Sequence, residues 1–154
     1  LGFQFVGRRG EIRVTAKNLA KFKQKVRAIT GRSRGISMSR MLGELRSYLR
    51  GWIGYFGLAA TKGVFASLDE WIRRRVRMCF WKQWRLPRTK IRKLKQLGVP
   101  HDVALRHGTS RKAYWCLAKT LGGQLGMTNR WLLDQGLVFL RYLWSELAPL
   151  RRTA

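Results

Sequence analysis

Positive charge constrains this chain more than any other feature of its sequence. The 154 residues include 33 lysines and arginines but only 7 aspartates and glutamates, so the formal net charge is +26. Repulsion on that scale opposes compaction unless a polyanion neutralises it. A packed core is still possible, because 45% of the residues are hydrophobic. The sequence therefore predicts a folded domain with an electrostatic footprint for nucleic acid.

An anionic membrane is the other polyanion that could balance this charge. The longest nearly unbroken apolar stretch covers residues 52–60 and contains two glycines, so it is far too short to span a bilayer. No signal-peptide pattern opens the chain either. We therefore expect no membrane partner. The chain begins at Leu1 in an apolar run without an initiator methionine, which suggests a piece of something longer.

Hydrophobic periodicity predicts a short β-hairpin followed by an all-helical body. Apolar and polar residues alternate over residues 1–14 on both sides of a glycine-bracketed turn. Thr15 can cap a first helix that ends at Gly31, and Ser37 or Ser39 can start a long second helix. A third helix is predicted over residues 67–84.

The remaining helices are predicted to be short. Asp69 and Glu70 would lie in the first turn of the third helix, where carboxylates interact favourably with the helix dipole. A fourth helix is expected between Pro87 and Gly98. Three further short helices should follow residue 100.

The densest charge lies in the third and fourth predicted helices. Eleven lysines and arginines occur there without an acid, at positions 73, 74, 75, 77, 82, 85, 88, 90, 92, 93 and 95. Four residues share the side of the third helix away from its predicted buried stripe, namely Trp71, Arg74, Met78 and Trp81. Large apolar groups beside arginine suit stacking on RNA bases. The alternatives are a merely solvated face, or a second stripe that packs on the C-terminal helices.

The long second helix offers another candidate surface. The face opposite its apolar stripe carries small residues, namely Gly43, Ser47, Gly51 and Gly54. Each glycine weakens a helix by about 1 kcal/mol relative to alanine, so close approach of another backbone should compensate. Arg46 and Arg50 flank this face and could meet a phosphate chain. Packing against another protein helix is the alternative.

No catalytic or metal-binding constellation can be placed in the sequence. Metal-dependent phosphoryl transfer needs clustered carboxylates, whereas only Asp69 and Glu70 are neighbours. His101 and His107 lack metal-ligand spacing, and no glycine-rich phosphate loop follows a strand. We therefore expect no catalytic residue, metal ligand or cofactor in this chain.

Several segments resemble the proteins encoded by group II introns. LGFQF at the start resembles the last block of the reverse-transcriptase palm in that family. The segments LRSYLRGWIGYFG, LDEWIRRRVRMCFWKQW and PRTKIRKLKQLGV resemble its maturase-specific domain, also called domain X. The resemblance covers about residues 1–100 and continues more weakly to 147, through AYW and NRWLLDQGL, as in bacterial members that lack an endonuclease domain. An asparagine common in the family near residues 43–47 is absent from GELRS here.

This resemblance implies a mainly α fold with three parts. Residues 1–14 would be the end of the palm as a β-hairpin, 15–100 the maturase-specific thumb, and 101–154 a helical C-terminal extension. The implied partners are group II intron RNA, an RNA template–DNA primer duplex, and the upstream palm–fingers part of a reverse transcriptase. The implied location is the bacterial cytoplasm.

The resemblance also implies which steps the protein and the RNA would each perform. The parent protein would be an RNA-directed DNA polymerase that takes part in retrotransposition of a mobile element, and Mg²⁺ would serve that polymerase and the intron ribozyme. The intron RNA would carry out the splicing chemistry, and this chain would bind and position that RNA. The expected RNA contacts are Lys17, Lys21, Lys25, Arg32, Arg34, Arg46, Arg50, Trp71, Arg74, Arg77, Trp81, Lys82, Arg85, Arg88, Lys90, Arg92 and Lys93. The alternative is a general basic RNA-binding protein, of ribosomal or nucleoid type, without intron specificity.

Overall fold

A computed structural model describes residues 3–6, 11–57 and 62–147 of the chain. Strands β1 (Phe3–Val6) and β2 (Glu11–Val14) pair antiparallel, with Phe3 opposite Val14. Every later element in these ranges is helical. The prediction of a mainly α fold with a short N-terminal hairpin is thus confirmed, while the hairpin turn at residues 7–10 lies outside the described residues.

The helices follow one another with short connections. In chain order they are α1 (Ala16–Ile29), α2 (Met38–Phe56), α3 (Lys62–Gln83), α4 (Pro87–Gln96), α5 (His101–Gly108), α6 (Tyr114–Leu117), α7 (Leu121–Gly126), α8 (Asn129–Asp134) and α9 (Leu140–Glu146). Five short helices, α5 to α9, thus follow residue 100 in the described part of the chain, and the expectation of three was wrong.

Local capping sets the starts of α1 and α2. The Thr15 hydroxyl accepts a hydrogen bond from the N–H of Asn18, and the Ser37 hydroxyl accepts one from Arg40. Both caps have the extended backbone that an N-cap requires. Thr15 is confirmed as the first cap, and Ser37 rather than Ser39 is the second.

Helix α3 begins at Lys62 rather than near residue 67. Asp69 therefore lies about two turns inside the helix, and its expected role at the helix start is wrong. Its side chain is buried, and its two carboxylate oxygens accept hydrogen bonds from the N–H groups of Leu140 at 2.7 Å and Arg141 at 3.0 Å. Asp69 thus caps α9 across the fold. Burial raises the pKa of this carboxyl, and the two hydrogen bonds oppose that shift.

One hydrophobic core joins the helices. Phe22 of α1, Leu45 of α2 and Ile72 of α3 are each at most 1% exposed. Helices α6 and α9 pack on α3, and α9 also packs on α2. Buried residues of this core extend from Val14 to Leu143. The proposed part boundaries after residues 14 and 100 stay predictions.

Candidate nucleic-acid interface

Most of the cations expected to contact RNA lie on the surface. The exposed members are Lys17, Lys21, Lys25, Arg32, Arg34, Arg46, Arg50, Lys82, Arg85, Arg88 and Arg92. Among the described residues of the expected set, only Arg34 forms an ion pair with a carboxylate. Its guanidinium lies 2.7 Å from the carboxylate of Glu44. The cationic surface is therefore largely uncompensated within the described structure, as a polyanion-binding surface requires.

The small-residue face of α2 is open. Apart from the neighbouring residues and backbone of α2 itself, a Cβ atom added at Gly43, Gly51 or Gly54 would meet no atom within 4 Å in the described structure. The alternative that these glycines pack against another helix of the described chain is therefore wrong. Arg46 and Arg50 are both exposed beside this face. The smooth backbone edge and the two guanidiniums are available to a partner.

Part of the outer stripe of α3 is covered by the C-terminal segment instead of facing solvent, and Trp71 packs on α1. Trp81 is fully buried and Met78 is 5% exposed, so the expectation that Trp81 stacks on RNA is wrong. Trp71 is half-buried against α1, with the charged groups of Lys23 and Arg27 at 6.0 Å and 5.6 Å from its ring centre. The second-stripe alternative holds for Trp81 because the segment after residue 100 folds back onto α3.

The guanidiniums of Arg74 and Arg77 bind the same returning segment. Arg74 donates from Nε to the carbonyl of Trp115 at 3.2 Å and lies 3.9 Å from the centre of that ring. Arg77 donates from Nε to the carbonyl of Met127 at 2.8 Å. Burial, and then the charge of Arg73, lower the pKa of Arg77 to about 10. Both side chains are thus held in place by the C-terminal segment, and their contact with RNA stays a prediction.

These arginines nevertheless line a cationic pocket of about 260 Å³ between α3 and the C-terminal segment. Arg73 and Lys119 also line it, with Glu70 as the acid in its lining. None of the three arginines forms an ion pair among the described residues. The Nη groups of guanidiniums that are held in place around a cavity suit the binding of phosphate. The sequence did not indicate Lys119, because a contact with α3 from the far end of the chain leaves no local pattern.

A second cationic pocket, of about 210 Å³, brings together the loop at residues 31–36 and the end of α3. Its lining includes three residues of the expected set, Arg32, Arg34 and Lys82. Arg34 is anchored there, because it donates to the carbonyl of Ile29 at 2.8 Å and pairs with Glu44. The hydrogen bond from Arg34 is the first cause that holds the pKa of Glu44 below its usual range. Arg32 and Lys82 remain exposed beside it.

The cations in and just before helix α4 differ in their exposure. Arg85 just before it, and Arg88 and Arg92 within it, are exposed, and Lys93 is half-buried. Lys90 is only 6% exposed, with its ammonium 5.3 Å from the centre of the Tyr114 ring. The expectation that Lys90 contacts RNA is therefore wrong, because α6 covers it.

Comparison with known proteins places this chain in a family. Residues 19–98, more than half of the chain, match the family "Group II intron, maturase-specific domain". The chain belongs to this family of group II intron maturase domains, as its sequence segments predicted. No curated protein sequence matched the chain. In the ranges that the structure describes, no helix is long and apolar enough to cross a membrane.

Proposed function

We propose that this chain binds group II intron RNA and promotes splicing by holding the folded RNA. The observation that carries the proposal is the exposed, largely unpaired cationic surface on a maturase-specific domain. Lysines and arginines bind RNA phosphates and release condensed counterions, which supplies affinity without base recognition. The RNA carries out the chemistry with its Mg²⁺ ions, and the protein neutralises charge where RNA strands approach each other.

Three groups of residues divide this work in the proposal. The lysines of α1 and the exposed arginines around α4 contact RNA phosphates at the protein surface. The open face of α2 accepts a close approach of the RNA backbone between Arg46 and Arg50. The pocket of Arg73, Arg74, Arg77 and Lys119 takes a single phosphate, because its guanidiniums are already held in position.

A second part of the proposal concerns cDNA synthesis. Together with the upstream palm–fingers part of a reverse transcriptase, the chain would grip the template–primer duplex in the bacterial cytoplasm. Its family membership supports this role. Template extension by a palm–fingers polypeptide, measured with and without this chain, tests it, and equal extension in both reactions would contradict it.

Salt dependence tests whether phosphates dominate binding. If about 6–10 phosphates are neutralised, affinity for a group II intron RNA should fall ~10³–10⁵-fold between roughly 50 and 200 mM salt. Fluorescence anisotropy measures this directly, and a flat response would refute phosphate-dominated binding.

Competition separates intron binding from general RNA binding. A net charge of +26 alone would bind any RNA, so unrelated structured RNA of equal length is the matched competitor. We expect group II intron RNA to displace a labelled intron more effectively than the unrelated RNA does. Equal competition would favour the general RNA-binding alternative.

A further inference from the structure

A pocket of about 490 Å³ lies between α3, α4 and α8, and it shares Gln83 with the pocket of Arg32, Arg34 and Lys82. Its volume lies within the range of small-molecule sites, about 300–1,000 Å³. Helices α3 and α4 belong to the segment that matches the maturase-specific domain, whereas α8 follows that segment. The pocket therefore exists only where the C-terminal segment returns to the matched domain.

The floor of this pocket is aromatic. Ring centres lie 4.7 Å apart for Phe80 and Trp131, 6.1 Å for Phe80 and Trp84, and 6.5 Å for Trp84 and Trp131. At these separations the rings contact each other, so no cation fits between them as in an aromatic cage. Phe80 and Trp84 are each 5% exposed and Trp131 is half-buried. A flat ligand would lie on this floor, mainly over Trp131.

The rim of the pocket is rich in amides. Gln83, Gln96 and Gln135 are exposed, and their side chains have no hydrogen-bond partner among the described residues. Each amide offers both a donor and an acceptor, the combination that pairs with the edge of a base. Lys93 adds one half-buried positive charge, and no carboxylate lines the pocket within the described structure. Such a lining favours a flat, polar and anionic ligand.

We propose that this pocket binds an unstacked base of a single-stranded nucleic acid, which in the proposed function is RNA. The base stacks over Trp131, the rim glutamines hydrogen-bond its edge, and Lys93 contacts the adjoining phosphate. Sequence-specific proteins recognise RNA in this way at loops and ends, where bases are free of the helix. The inference extends the proposed function, since it adds base recognition to phosphate binding.

The test uses short single-stranded RNA homopolymers of A, U, C and G, with a blunt RNA duplex as the stacked reference. The test variant combines Gln96→Ala with Gln135→Ala, and Gln24→Ala on the exposed side of α1 is the matched control. The double variant should lose about tenfold in affinity for the preferred homopolymer and bind the four more equally. Its duplex affinity and salt dependence should not change, and the control should behave like the unaltered chain.

A second variant, Trp131→Phe, keeps an aromatic ring on the floor and should weaken single-strand binding without changing duplex binding. Single-stranded DNA homopolymers form a further arm, and an equal loss there supports a base pocket that ignores the sugar. Unchanged single-strand affinity in both variants, or equal losses on single strands and duplex, would overturn the proposal. Homopolymers contain no intron structure, so a chain that fails to prefer intron RNA would refute the proposed function and leave this test intact.

Discussion

Replacing Asp69 by alanine should weaken the attachment of α9 to α3. The two oxygens of Asp69 accept hydrogen bonds from the N–H groups of Leu140 and Arg141. A hydrogen bond to a charged group contributes about 1.5–3 kcal/mol net, so two contribute roughly 3–6 kcal/mol. Burial offsets part of this, because the raised pKa of Asp69 means that the surroundings disfavour its charge. We therefore expect Asp69→Ala to lower the free energy of unfolding by about 2–4 kcal/mol.

Asparagine at this position separates hydrogen bonding from packing. An asparagine side chain has nearly the shape of aspartate but only one accepting oxygen. Its NH₂ group would face one of the two N–H donors, so Asp69→Asn should cost about 1–3 kcal/mol. The adjacent Glu70 is exposed, and Glu70→Gln is the matched control, with a change within about 0.5 kcal/mol.

Urea denaturation and thermal denaturation, each followed by circular dichroism, measure all three variants at one salt concentration. For a chain of this length, the loss expected for Asp69→Ala lowers the thermal midpoint by about 5–15 °C. An Asp69→Ala variant as stable as Glu70→Gln would refute the reasoning. It would mean that the hydrogen bonds to Leu140 and Arg141 do not hold α9 in place.

Three further measurements address the surface and the C-terminal segment. Arg46→Ala with Arg50→Ala should weaken RNA affinity by about tenfold with little change in the thermal midpoint, and lost stability with intact affinity would make the pair structural. Gly51→Ala should raise that midpoint, since its Cβ meets open space and alanine favours helix by about 1 kcal/mol; unchanged RNA affinity would exclude RNA from this face. Burial lowers the pKa of His107, so the stability due to its neutral ring is present above the usual imidazole pKa and lost as pH falls through the lowered value. His107→Gln should therefore lose less stability on acidification than the exposed control His101→Gln, and equal pH profiles would contradict this.

Local sequence patterns predicted the elements whose causes are local. Thr15 and Ser37 each lie three residues before the N–H that they cap, so a short window contains the whole interaction. The positive charge of α4 and the exposure of its arginines likewise follow from residues that are adjacent in the sequence. For the same reason, the open face of α2 was recognisable as a candidate from its glycine spacing.

Long-range contacts account for the predictions that were wrong. Asp69 caps a helix that begins 71 residues later in the chain, and Arg77 binds a carbonyl 50 residues away. Helical periodicity identified the second stripe of α3, but both a solvated face and a packed face produce that pattern. Only the path of the chain after residue 100 decides that Trp81 is buried and that Lys90 is covered.

The folded-back segment also determines how this protein can be divided for experiments. A polypeptide ended at residue 98, where the family match stops, would lose helices α6 and α9, which pack on α3. It would expose the indole of Trp81 and leave Arg77 without its carbonyl partner. Apolar surfaces exposed in this way promote aggregation, and the added insolubility would resemble a loss of RNA binding. The segment recognised by similarity is therefore smaller than the smallest piece expected to fold independently.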